Sequence, residues 1–194
     1  MVDTRTGHVR ADSRRNRAAI VAAARAAVAE LGEKVSLEHI AQRARVTSRT
    51  LFRHFPARED LLAAVLADYF TERVEPVLRR AAADPDPGRA LETVLAESTA
   101  AFVEDPAMLA LISGGARTAA LTARYLEPLT GVLDRAREAG AVRAELTAED
   151  FPCLVTMLVA VAGQTGAGWR RYLALVLDSL PPPAARTPLP AAEG

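Results

Sequence analysis

Ser36-Leu37-Glu38-His39-Ile40-Ala41-Gln42-Arg43-Ala44-Arg45-Val46-Thr47-Ser48-Arg49-Thr50-Leu51-Phe52-Arg53-His54-Phe55-Pro56 reads as two short helices joined by a tight turn. Ser36 is a good N-cap, because its hydroxyl can accept a backbone N–H that the first helical turn leaves unpaired. Leu37, Ile40, Ala41 and Ala44 then keep the i, i+3, i+4, i+7 spacing of one helix face. Arg45-Val46 makes the turn, Thr47 caps the second helix, Leu51 and Phe55 point inward, and Pro56 ends it. Ser48, Arg49 and Arg53 are left on the outer side, with Arg49 and Arg53 one turn apart and therefore neighbours. A helix of this size, held across another by a small core, is the element that enters the major groove of DNA.

Working outward, a preceding helix is expected from about Arg14 to Leu31, with Ile20, Ala24, Ala27, Val28 and Leu31 on one stripe and Gly32 as its stop. Residues 1–13 are polar and read as a flexible basic arm, and residues 14–57 as a helix-turn-helix head. A fourth helix starts near Arg58-Glu59-Asp60, with acids in its first turn as the helix dipole favours. Its Leu61, Leu62, Val65, Leu66, Tyr69 and Phe70 make a face too broad for the head alone to cover, and Pro76 should kink or end it. Further helices are expected near residues 89–104, 106–113, 118–139, 148–162 and 169–180. Thr147 and Asp150 form a capping-box pair before the penultimate one, and Gly163, Gly166 and Gly168 separate the last two. The whole is an all-α chain of about nine helices: a helical body over residues 58–180 and a Pro/Ala-rich, disordered tail over 181–194. Gly114-Gly115 reads as a break between helices, since no strand precedes it to make a phosphate loop.

The chain is formally neutral, but the charge is uneven. Residues 1–60 hold 12 Lys/Arg against 7 Asp/Glu, and residues 61–194 hold 12 against 17. A basic head on an acidic body implies that only the head meets a polyanion. The single cysteine, Cys153, excludes an intramolecular disulfide and a multi-cysteine metal site. It falls in an apolar run and reads as a small buried hydrophobe, with a redox sensor as the alternative. The polar, Arg-rich N-terminus is not a secretory signal, and the apolar run from Phe151 is too short to span a bilayer, so a cytoplasmic protein without membrane contact is expected. His8, His39 and His54 all lie in the head, and Glu97 and Glu104 read as solvated, which leaves the body without a base or a nucleophile signature; an enzyme is disfavoured and no cofactor or metal is implied.

In a groove-entering helix the outward residues need donors or acceptors, and the rim needs phosphate partners. Arg is the side chain whose fork best reads guanine, so Arg49 and Arg53 are candidates for the bases. Ser36, Arg45, Thr47, Ser48, Thr50, Phe52, His54 and Arg58 complete the candidate DNA-binding set. Arg14 and Arg17 join it from the first helix, with further contacts open to Arg5, Arg10 and Arg15.

Residues 14–60, and above all the run Val46-Thr47-Ser48-Arg49-Thr50-Leu51-Phe52-Arg53-His54-Phe55-Pro56-Ala57-Arg58-Glu59-Asp60-Leu61-Leu62, resemble the N-terminal domain of TetR-type transcriptional repressors. The resemblance implies a homodimer on a double-stranded operator, a linking fourth helix, and a C-terminal domain that binds a small effector. Its last two helices would form the dimer interface, for which Leu154, Leu158, Val161, Trp169, Tyr172, Leu173 and Val176 are the candidates. The end of the chain from Trp169 to Leu180 also looks like actinobacterial members. Two positions depart from the family pattern. Arg45 stands where glycine is frequent, at a turn where φ is often positive, and Phe52 stands where tyrosine is frequent, so a phenolic hydroxyl is missing.

Phe70, Phe102, Met108, Ile112, Tyr125 and Met157 are the candidates to line a ligand cavity, and the scarcity of polar groups on these faces favours a mostly apolar effector. The readings kept open beside a ligand-released repressor are an activator or ligand-independent regulator, and a helical interaction module with a degenerate head.

Overall fold

A computed structural model of the chain describes residues 4–32, 34–111, 119–182 and 187–189; these form helices, turns and coil, with no strand among them. The helices are α1 (Thr4–Leu31), α2 (Leu37–Arg43), α3 (Ser48–His54), α4 (Arg58–Tyr69), α5 (Glu75–Ala83), α6 (Pro87–Glu104), α7 (Pro106–Leu111), α8 (Ala119–Glu138), α9 (Asp150–Thr165) and α10 (Trp169–Ser179). Two compact units divide them: one of Met1–Tyr69 and Asp105–Thr118, the other of Phe70–Glu104 and Ala119–Gly194. The first unit therefore holds α4 and α7 beside the three helices of the expected head.

In the first unit α1 packs on α2, α3, α4 and α7. Its core is the one the periodicity marks: Ile20, Ala24, Ala27 and Val28 from α1, Ile40 and Ala41 from α2, Leu51 and Phe55 around α3, and Leu61, Val65, Leu66 and Tyr69 from α4 are all buried. Leu31, in the last turn of α1, is instead 57% exposed. α1 also begins at Thr4 rather than near Arg14, so most of the expected arm is helix. That stretch has no proline, and Asp12 and Arg15 pair across one turn, which supports helix on an exposed face.

The turn after α2 is closed by two bonds of a Schellman motif: Val46 N–H donates to the Ala41 carbonyl (3.0 Å) and Arg45 N–H to the Gln42 carbonyl (3.1 Å). The motif requires a left-handed residue, and Arg45 takes it at φ 56°. After α8 the same pair of bonds is built around Gly140 at φ 67°, where no Cβ opposes it. Holding Arg45 there costs about 1–2 kcal/mol. Arg45→Gly is expected to gain about 1 kcal/mol net of glycine's unfolded-state entropy, raising Tm by about 2–4 °C. If Arg45 also neutralises a phosphate, the variant loses about one unit of salt slope in DNA binding. Calorimetry and a salt titration of the same variant read both.

In the second unit α6 packs against α5, α8 and α9, and α10 packs on α9. Pro76 does not end the fourth helix. Residues 58–83 run on without a break through a π-helical segment, Phe70–Val74, that places Pro76 in the first turn of α5. Proline has no N–H to donate and its ring crowds the carbonyl four residues back, and the widened π turn just before it accommodates both. Pro128 lies inside α8, a feature that the spacing of apolar residues does not reveal. α9 and α10 are likewise nearly one run of 30 residues, Asp150–Ser179. Because helices join in this way, about nine is not the number of separate rods. By length and composition that last run could cross a membrane. Gly166 at φ 55° and the 3₁₀ turn Gly166–Gly168 break it into stretches of 16 and 11 residues, each short of the roughly 20 a span needs.

The Thr147 and Asp150 pair forms only half of the expected capping box: Thr147 N–H and Oγ1 donate to the Asp150 carboxylate at 2.7 and 3.0 Å, but α9 starts after Glu149 with no side-chain cap. Cys153 corrects the reading of a buried thiol: it is exposed, on the outer side of α9. Of the tail, 183–186 and 190–194 lie outside the described residues, and the Thr187 carbonyl accepts a bond from Arg143 (2.6 Å).

Candidate nucleic-acid interface

The site is built on α2, the turn and α3. Ser36 accepts from His39 N–H (3.1 Å) to start α2, and Thr47 Oγ1 accepts from Thr50 N–H (3.2 Å) to start α3. The two threonine hydroxyls also share a bond of 3.0 Å, which steadies the N-terminus of α3. Leu51, fully buried, and Phe55, 2% exposed, seat α3 in the core. That leaves Ser48, Arg49, Phe52 and Arg53 facing solvent, with Thr50 half-buried. Arg14, Arg45, Arg49 and Arg53 are exposed and make no ion pair with a described residue. Phe52 is 45% exposed, an apolar ring in the middle of a cationic face.

Other candidates carry structural bonds. The Arg17 guanidinium lies 5.1 Å from the centre of the Phe55 ring, so α1 holds the end of α3 by a cation–π contact. Arg58 Nη1 donates to the Val35 carbonyl at 2.5 Å, tying the start of α4 to the loop before α2. Its expected place at a phosphate thus competes with a bond inside the head. Arg58→Ala is expected to destabilise the protein by about 1.5–3 kcal/mol, the range for a charged hydrogen bond, while leaving the salt slope of DNA binding unchanged. Denaturant unfolding beside a salt titration separates those effects. The side chains of Arg5 and Arg10 lie outside the described ones.

His54 is half-buried and its Nε2 has no hydrogen-bond partner. Desolvation, reinforced by Arg53 and Arg17, holds its pKa below the usual histidine value. The unfolded chain therefore takes up a proton near the ordinary value of about 6.5 that the folded head resists. Stability is full above that pH and falls as the pH drops from about 6.5 toward the lowered value. Unfolding measured between pH 7.5 and 5 should show this loss, and His54→Gln should flatten it.

Sequence reasoning missed two ties that set the head's shape. Arg43 forms a two-pronged pair with Glu30 (2.6 Å for each prong), joining α2 to α1 and lowering the Glu30 pKa through the hydrogen bond. Arg25 reaches Asp105 at 3.4 Å and lies 5.1 Å from the centre of the Tyr69 ring, joining α1, α4 and the start of α7. Residues 13 and 80 apart leave no local signal of such contacts.

The candidates in the body separate. Phe70, Phe102 and Tyr125 meet in one aromatic cluster of the second unit, Phe70 edge-on to each at 6.1 and 5.9 Å. Met108 is buried in the first unit, and Ile112 and Gly114-Gly115 lie outside the described residues. Met157 is 55% exposed and so does not line the interior with them. Among the dimer candidates, Tyr172 is 41% exposed and Leu154, Val161 and Val176 are half-buried. Leu158, Trp169 and Leu173 are buried within their own chain and offer little surface to a partner. Glu97 pairs with Arg80 and Glu104 with Arg73, each on a solvated surface, so the two carboxylates do not converge.

A short capped helix with a free cationic face, carried on a helical chain, defines a helix-turn-helix DNA-binding regulator. Residues 20–65 match the family model described as bacterial regulatory proteins, tetR family. No curated protein matches the chain. Solved structures do. A TetR transcription regulatory protein from Mycobacterium vanbaalenii is 28% identical, with 89% of this chain and 99% of that one covered and a TM-score of 0.58. A TetR transcriptional regulator from Streptomyces coelicolor is also 28% identical, with 86% and 98% covered and a TM-score of 0.58. RolR in complex with resorcinol shares the fold at 24% identity, with 92% and 97% covered and a TM-score of 0.69. Residues 20–65 thus match the DNA-binding part of the tetR family, and the chain is similar over most of its length to TetR regulators of known structure.

Proposed function

We infer that the protein is a homodimeric repressor that grips a palindromic operator through two copies of α3 and is released by a small, mostly apolar ligand. The observation that carries this reading is the outer face of α3, where Arg49 and Arg53 stand one turn apart, exposed and without an ion pair to any described residue. Each presents a fork that fits guanine O6 and N7, and the exposed Phe52 ring suits a thymine methyl, a contact that needs no hydroxyl. Ser36, Arg45, Thr47, Ser48, Thr50, His54, Arg14 and Arg17 flank that face as candidate phosphate partners, which would fix register without reading sequence.

Dimerisation is supported by what α9 and α10 leave in solvent. Met157 (55%), Tyr172 (41%) and Leu175 (57%) are exposed, and only 28% of the most apolar window of this run is buried. Large apolar side chains left in solvent are the kind of surface that an interface covers. A two-fold pair of heads would read half-sites about 34–36 Å apart, one turn of DNA.

For ligand release, the aromatic cluster of Phe70, Phe102 and Tyr125 offers apolar surface, and RolR, of like fold, is described with resorcinol bound. The chain passes from the first unit to the second at Tyr69–Phe70, inside one helical run and at the start of its π segment. A ligand that favours one setting of that run shifts the dimer away from operator spacing, with typical coupling of about 1–3 kcal/mol. Action on an operator places the protein in the cytoplasm. The test is operator binding by the full chain across salt: a steep linear fall of log K against log salt is expected, and salt-insensitive or absent binding would leave only an interaction module.

A further inference from the structure

In the second unit two hydroxyls are buried where hydrocarbon would pack as well. Ser98 and Thr99 of α6 are 1% and 0% exposed, and neither hydroxyl has a hydrogen-bond partner. Helical hydroxyls elsewhere in this chain turn back on the carbonyl four residues earlier, as Thr130 does to Leu126, Thr156 to Pro152 and Thr165 to Val161. Where α6 needs only a small side chain in its core it carries alanine, at Ala90 and Ala101. Ser98 and Thr99 are thus desolvated with no internal return, the kind of exception that calls for a partner from outside. They are also the only buried serine and threonine among the described residues.

Their surroundings are aromatic. Phe102 follows both on the same face of α6, one turn away, and its ring meets Phe70, which in turn meets Tyr125. Burial pushes the Tyr125 hydroxyl up to about 12, and the neighbouring Ser98 hydroxyl opposes that rise. Tyr125 therefore stays neutral and able to donate at any physiological pH. Phe70 is half-buried and opens the π segment, a type of turn found frequently at functional sites.

The geometry points to Ser98, Thr99 and Tyr125 as the polar contacts of an effector site framed by Phe70 and Phe102, for a small uncharged molecule that bears hydroxyl or carbonyl groups. The ligand is uncharged because no charged side chain is buried among the described residues to pair with an ion. Its polar groups are required, because a purely apolar molecule would leave both hydroxyls as they are. This assignment rests on the reading that the second unit binds a small molecule, and it names the chemical class.

The test uses the full-length protein and three probes of like size: phenol, toluene and benzoate, titrated by calorimetry. Phenol is expected to bind at least tenfold more tightly than toluene, and benzoate more weakly than phenol. Ser98→Ala combined with Thr99→Val should abolish the preference for phenol over toluene while leaving toluene binding in place. Without ligand this double variant should melt no lower than the parent, because it removes unpaired hydroxyls and keeps the volume. Equal binding of phenol and toluene by the parent, or an undiminished preference in the double variant, would overturn the assignment. So would a double variant that melts well below the parent, since the hydroxyls would then serve the fold. Operator release is read separately. Hydroxyl-dependent phenol binding without release would sustain the site and refute ligand-released repression.

Discussion

Leu175→Arg is expected to split the proposed homodimer into monomers and to lower operator affinity by about 10²–10⁴-fold, without disturbing the fold of the chain. The factor is what simultaneous engagement of two half-sites adds over one. Leu175 is 57% exposed on α10, so within a single chain an arginine meets only solvent there. In a dimer seam it would be an unpaired charge among Met157, Tyr172 and their partner copies, and such a charge is strongly unfavourable. Sedimentation across protein concentration reads the assembly, and fluorescence anisotropy with labelled duplex reads the affinity. A Leu175→Arg protein that remains dimeric and binds operator as the parent does would move the interface away from α9 and α10.

Arg49→Ala and Arg53→Ala should each cost about 1–3 kcal/mol of operator binding, roughly 5- to 150-fold, and each should relax the choice of base at its own position. Both side chains leave the exposed face of a helix whose other side is locked by Leu51 and Phe55, so they rise from a fixed base toward the groove. A phosphate contact behaves differently: its loss weakens every sequence alike and reduces the salt slope by about one. Selecting preferred sites from random duplexes with the parent and each variant distinguishes these outcomes. If both variants lose affinity uniformly, with site preference intact, Arg49 and Arg53 hold the backbone and sequence is read elsewhere.

Much of the head was legible because its signals are local. Ser36 and Thr47 announce helix starts through hydroxyls that reach only three residues, Gly32 and Pro56 announce ends through backbone constraints, and the spacing of Ile40, Leu51 and Phe55 marks the buried side. The strained turn was legible only through the resemblance, which puts glycine where Arg45 stands, since an arginine by itself gives no local sign of positive φ. What escaped depends on distance along the chain. That Arg58 would bond the Val35 carbonyl, or that Arg43 would meet Glu30, follows from how α1, α2 and α4 cross, which no periodicity encodes. The π segment escaped because Pro76 announces a disturbance without saying whether the helix stops or absorbs it. In the body, an exposed Met157 and a buried Leu158 sit side by side in a helix that is apolar nearly all round, so hydropathy alone could not say which face turns inward. Ser98 and Thr99 carry no local sign of burial, which comes from the packing of α6 against α5, α8 and α9.

The most direct test of the account is selection of bound fragments from genomic DNA by the full-length protein, freed of ligand by unfolding and refolding, with binding to the recovered sequence measured across salt. A two-fold symmetric site with half-centres one helical turn apart, bound with a steep salt slope, is the predicted result. No enrichment over random DNA, or an enriched site with no symmetry, would contradict a dimeric operator-binding regulator.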